Sequence, residues 1–138
     1  MALDLTNLNN AIDALERSVN TAETLDKSDP FLTEVVRAGV IQQFEVAYEQ
    51  SWKMIRRWLR ENYSIEEAEF PRTRKELFRH AARAGLIEHP ENWFSYGDAR
   101  NLSTNTYNQA RAEEVYKTAL TFLKDARRLQ KNLESLSS

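Results

Sequence analysis

The sequence predicts an all-α fold, an up-and-down helical bundle of three long and two short helices in one domain spanning residues 1–138. Apolar residues recur at spacings of three and four rather than two, the period of a helix face and not of a strand. Only three Gly and three Pro interrupt the chain. Those few breakers stand beside residues that start and stop helices.

The first helix is carried by Leu5, Leu8, Ile12, Leu15, Val19 and Ala22, a three-four alternation that draws one narrow apolar seam along its length. Such a seam requires a partner helix. Ser28-Asp29-Pro30 then supplies a capping side chain followed by the residue best tolerated in a first turn, so a second helix starts near residue 30. Val36, Val40, Phe44, Ala47, Ile55 and Leu59 carry it to about Asn62, through Gly39. Pro71 is expected to open a third helix ending at Gly85, a residue suited to the left-handed position after a helix. Pro90 and Asn92 open a short fourth helix through Trp93 and Tyr96. The last helix is expected to begin between Thr106 and Asn108 and to run along Val115, Ala119, Phe122, Ala126, Leu129, Leu133 and Leu136. Three long helices of this kind pack at crossing angles of roughly 20°.

Composition excludes several classes of function. A chain of 138 residues suffices for one substantial core. Nineteen basic residues against twenty-one acidic ones leave a net charge of −2, so any nucleic-acid site must be local. Cysteine is absent, which removes thiolate chemistry and Cys-based zinc sites and fits a reducing, cytoplasmic setting. The start, Met1 to Leu5, lacks the charged and apolar regions of a secretion signal, and no run approaches the roughly 18 apolar residues of a membrane span. His80 and His89, without a spaced carboxylate or cysteine, make no convincing metal site, and no cofactor is expected.

Two stretches invite a chemical reading. Arg72, Arg74, Lys75, Arg79 and Arg83 crowd residues 72–83 with one acid, Glu76, and Arg56, Arg57 and Arg60 end the second helix. If these faces converge they form a basic patch suited to phosphate, since guanidinium is a planar bidentate donor. A solvated helix face is the plain alternative. Trp52, Trp58 and Trp93, with Phe44, Tyr48 and Tyr96, stand at helical spacings that favour core packing or a dimer seam over base stacking. The second stretch, Asp98 to Tyr107, lies where the fourth helix gives way to the fifth. Ser103, Thr104, Asn105 and Thr106 could simply cap the last helix, whereas Arg100 and Tyr107 need another explanation.

Residues 40–53, VIQQFEVAYEQSWK, then Ala84-Gly85-Leu86-Ile87 with Trp93, and finally Arg100-Asn101 leading to Thr106-Tyr107, together resemble the HEPN proteins across nearly the whole chain. The resemblance is to their nucleotidyltransferase-substrate-binding subfamily, encoded beside minimal nucleotidyltransferases in toxin–antitoxin pairs. That family's motif is an arginine-asparagine pair, three residues, a histidine, one residue and a tyrosine. Arg100, Asn101 and Tyr107 match it, and Asn105 stands in the histidine position.

The resemblance implies a homodimer, a minimal nucleotidyltransferase partner, and a cleft at the dimer interface lined by Arg100, Asn101, Asn105 and Tyr107. It implies metal-free RNA cleavage in active relatives, with histidine moving the proton of the 2′-hydroxyl and arginine stabilising the phosphorane. It also implies that Tyr107 can be adenylated by the partner. Asn105 hydrogen-bonds but moves no proton at neutral pH. Gln43 further departs from the arginine frequent in relatives before Phe44-Glu45. Three readings stay open: a nucleotidyltransferase-binding subunit, with Arg72, Arg74 and Arg79 available to RNA; an active endonuclease; and a helical interaction protein unconnected with nucleotides.

Overall fold

Each of the first three helices begins where a side chain can satisfy the unpaired amides of its first turn. In a computed structural model that describes residues 3–66, 70–103 and 109–136, the elements are α1 (Thr6–Thr24), α2 (Pro30–Asn62), α3 (Arg74–Arg83), α4 (Pro90–Leu102) and α5 (Gln109–Leu136). The Asp4 carboxylate accepts from the Thr6 amide at 2.9 Å. The Asp29 carboxylate accepts from the Phe31 and Leu32 amides at 3.0 and 3.1 Å, and Pro30 occupies the first turn as its fixed φ favours.

The third helix starts later than the sequence suggests. Pro71 precedes it, and the Thr73 hydroxyl accepts from the Glu76 amide at 3.2 Å while the Glu76 carboxylate reaches back to the Arg72 amide, also 3.2 Å. These contacts place the start at Arg74. Its end is as expected, with Gly85 in the left-handed region at φ 84°. The fourth helix is longer than expected and runs past Tyr96 to Leu102, so Arg100 and Asn101 lie in its final turn rather than in a loop. The expected start of the last helix, Thr106 to Asn108, lies outside the described residues.

Partner registers fix the helix directions. Asn9 meets Gln130, Asp13 and Glu16 meet Arg127, and Glu23 meets Tyr116, so α1 and α5 are antiparallel. Arg37 over Tyr116 and Phe44 against Phe122 set α2 parallel to α5. Arg100 beside Glu45 and Gly97 beside Tyr48 set α4 antiparallel to α2. The bundle therefore packs α1, α2, α4 and α5 together, with α3 bridging α2 and α4.

Leu8, Ile12 and Leu15 of α1, Val40, Phe44 and Ile55 of α2, and Phe122, Leu129 and Leu133 of α5 are fully enclosed. Each such side chain contributes about 1.5–3 kcal/mol of transfer free energy. Phe122 is the hub that joins the short helices to this core: Phe44 and Tyr96 meet it edge-on at 5.2 Å and Trp93 at 5.6 Å. α4 is thereby packed against α2 and α5, and Ala99 and Ser103 remain buried at its C-terminal end. Among the described residues, no helix is long and apolar enough to cross a membrane.

Candidate functional site

The α4 C-terminus holds Arg100, where a cation complements the negative end of the helix dipole. Ser103, 4% exposed, donates its hydroxyl to the Arg100 carbonyl at 2.6 Å and accepts from Arg100 Nη1 at 3.5 Å. Across the groove, Glu45 and Glu49 are one turn apart on the same face of α2. Glu45 Oε2 lies 3.3 Å from Arg100 Nη1, and Glu49 Oε1 lies 3.7 Å from Arg100 Nε. The guanidinium is thus held between two carboxylates.

Glu49 extends the cluster. Its Oε1 is 3.9 Å from Arg74 Nη2, and its Oε2 accepts from the Trp52 indole N–H at 3.0 Å. Arg74 lies over Trp52 at 4.6 Å and over Tyr48 at 5.6 Å. Trp52 packs half-buried against the edge of the core and also supports a guanidinium, because Glu49 and Arg74 supply a polar partner and a cationic cover at the surface. Tyr48 is fully buried, and its hydroxyl has no hydrogen-bond partner among the described residues. Burial pushes the Tyr48 phenol above the usual tyrosine value, Arg74 pulls it back, and Glu49 and Asp98 add to the push.

The basic residues do not all converge on one patch. Arg72 and Arg74 converge with Arg56 and Arg60 around a cavity of about 500 Å³ that Trp52 and Phe70 also line. Arg79 is not among them. It lies over Phe94 at 5.3 Å and lines a separate depression with His80 and Arg83. Arg57 pairs with Glu61 at 3.7 Å. Asn101 lines a small cavity of about 130 Å³ with Tyr48, Phe94, Gly97 and Asp98. Asn105 and Tyr107 lie outside the described residues.

The arrangement can bind an oxyanion at Arg100 provided that the anion shares or displaces the two carboxylates. Neither histidine belongs to the cluster: His89 is exposed beside Glu88 and Glu91 at 3.9 and 3.7 Å, and His80 stands beside Arg79 and Arg83. No group of three or more His, Cys, Asp or Glu among the described residues is placed to hold a metal ion. Glu45 and Glu49 are identifiable in the sequence only as a carboxylate pair one helical turn apart; nothing local names Arg100 as their counter-ion.

Comparison with known proteins gives four matches. Residues 3–135 match the family described as nucleotidyltransferase substrate binding protein like. A protein of Haemophilus influenzae named as a probable ribonuclease HepT is 33% identical over 124 residues, covering 88% of this chain and 85% of that protein. A solved Haemophilus influenzae structure, described as the fold of a substrate binding domain of a nucleotidyltransferase, superposes with a TM-score of 0.89 at 31% identity, covering 95% of this chain and 99% of the other. A Thermus thermophilus structure superposes with a TM-score of 0.71 at 26% identity, covering 89% and 98%.

Proposed function

Since the chain belongs to the nucleotidyltransferase substrate binding protein like family, we propose that it is a homodimeric HEPN-like subunit that binds a separate minimal nucleotidyltransferase. It presents to RNA a ribonuclease-like cleft around Arg100, Asn101, Asn105 and Tyr107. The observation that carries this reading is Arg100, fixed on the last turn of α4 between Glu45 and Glu49 and directly preceding the segment that holds Asn105 and Tyr107.

An arginine in this setting is positioned for a phosphate that shares or displaces Glu45 and Glu49, because a carboxylate-held guanidinium has already lost much of its rotamer freedom. With asparagine at position 105 the cleft lacks a general acid–base, a group worth typically 10²–10⁴-fold in rate. Binding therefore outlasts cleavage. Adenylation of Tyr107 by the partner would set a second phosphate near Arg100 and compete with RNA for it.

The test compares the natural chain, Asn105→His and Arg100→Ala/Asn105→His, each expressed with and without the nucleotidyltransferase encoded beside it. Co-purification of all three with that partner, and cleavage of cellular RNA by Asn105→His alone, is the expected result. A strictly monomeric protein that does not hold the partner sinks the subunit reading. Cleavage by the natural chain that a further variant, Arg100→Ala, abolishes would instead identify a working nuclease, the reading that its likeness to a probable ribonuclease favours.

A further inference from the structure

The cavity between the C-terminal end of α2 and the start of α3 is lined by Trp52, Arg56, Arg60, Phe70, Arg72 and Arg74 among others. None of its lining residues, among those described, is acidic. Two of its arginines are stacked on aromatic rings: Arg60 lies 3.9 Å from the Phe70 ring centre and Arg74 4.6 Å from that of Trp52. A guanidinium lying over a ring turns its N–H edge outward, and that edge makes bidentate contacts to phosphate oxygens. Arg56 and Arg72 are exposed at the same cavity.

We infer that this groove is a phosphodiester-binding site for single-stranded RNA, and that it holds the strand beside the Arg100 cleft. This rests on the reading of that cleft as RNA-directed. Continuity between the two is direct, since Arg74 lines the groove and shares the Glu49 carboxylate with Arg100. A nucleoside triphosphate suits the groove less well. It arrives with a divalent cation that seeks carboxylate ligands, whereas no described lining residue is acidic and Glu49, at the groove's edge, is already engaged by Arg74 and Arg100. Arg56 and Arg72, exposed along a cavity of about 500 Å³ that Arg60 and Arg74 also line, suit successive phosphates of a strand, whose binding is dominated by counter-ion release.

The experiment measures fluorescence anisotropy of a labelled single-stranded decaribonucleotide with the full chain and with Arg56→Ala/Arg72→Ala, across a salt series. Both substitutions are on exposed side chains, and a circular-dichroism melt checks that the variant folds. Loss of two phosphate contacts to a single strand should weaken binding roughly fifteenfold at 0.15 M salt and make the log–log salt slope shallower by about 1.4. An unchanged affinity and slope would overturn the assignment, as would a natural chain that does not bind the strand. Displacement of the RNA by ATP or inorganic pyrophosphate at concentrations equal to unlabelled decamer would overturn the strand in favour of a small anion. A variant that keeps its RNA affinity but no longer co-purifies with the nucleotidyltransferase would assign the groove to a protein partner. Cleavage by Asn105→His reports on the parent reading alone, so the two proposals fail separately.

Discussion

Replacing Gly97 by alanine tests whether α4 is seated as tightly as the packing indicates. A Cβ at this position would lie 2.8 Å from the Tyr48 hydroxyl oxygen, inside the contact limit, and 3.7 Å from Tyr48 Cζ, an ordinary contact. The hydroxyl has little room to retreat, because Phe44, Phe78 and Phe122 surround the Tyr48 ring at 6.3, 6.4 and 6.3 Å between centroids. Overpacking of this kind costs about 1–3 kcal/mol. Alanine in a helix interior returns about 1 kcal/mol relative to glycine. Gly97→Ala should therefore destabilise by about 1 kcal/mol, within a range of about 0–2.

Combined with Tyr48→Phe, the sign should reverse. With the hydroxyl gone, the nearest atom is the ring carbon, and only the helix-propensity gain of about 1 kcal/mol remains. The coupling is then about 2 kcal/mol, read by urea denaturation of the four members of the cycle. In thermal melts each kcal/mol corresponds to roughly 3–4 °C for a chain of this size. Equal stabilisation by Gly97→Ala in both backgrounds would refute the reasoning, since it would mean that Tyr48 moves aside without cost and that α4 is free to shift.

Two further expectations concern stability. Burial raises both the Tyr48 and the Tyr96 phenol, with Arg74 opposing at Tyr48 and Asp125 adding its hydrogen bond and charge at Tyr96, so the unfolded chain loses these protons first as pH climbs. Their contribution is full below about pH 10, the unfolded tyrosine value, and declines above it; alkaline melts should show this fall, blunted in Tyr48→Phe, and a fall identical in that variant would remove Tyr48 as a cause. Arg127 reaches Asp13 at 2.9 Å and Glu16 at 3.0 Å with a side chain 31% exposed, so Arg127→Met should cost about 1 kcal/mol at low salt and less in 1 M NaCl. A loss that does not change with salt would show that packing, rather than charge, joins α1 to α5 there.

What the sequence disclosed was governed by how local the chemistry is. Asp29-Pro30 and Gly85 identify a helix start and a helix stop because the groups that satisfy the backbone stand within a few residues. Pro71 misleads because the competing cap at Thr73, two residues on, prevails through its Glu76 partner. The length of α4 is hidden by a glycine and a polar run that read as a junction; Gly97 is there to admit the Tyr48 hydroxyl, a contact with a residue far away in the sequence. The same distance hides the surroundings of Arg100. Its motif position is legible, but Glu45 and Glu49 lie on another helix, and only the antiparallel register of α2 and α4 brings them within ion-pair range. Trp52 fits the apolar spacing of α2 and reads as core; its role beneath Arg74 depends on where α3 lands.

The way Arg100 is supported separates the shape of the cleft from its chemistry. Its guanidinium is held by Glu45, Glu49 and Ser103, all outside the histidine position of the motif. On the proposed reading, a change at residue 105 alters proton transfer while leaving in place the side chains that hold the arginine. If that reading holds, the groups that fix the shape of the cleft and the group that would move a proton in it can change independently of one another.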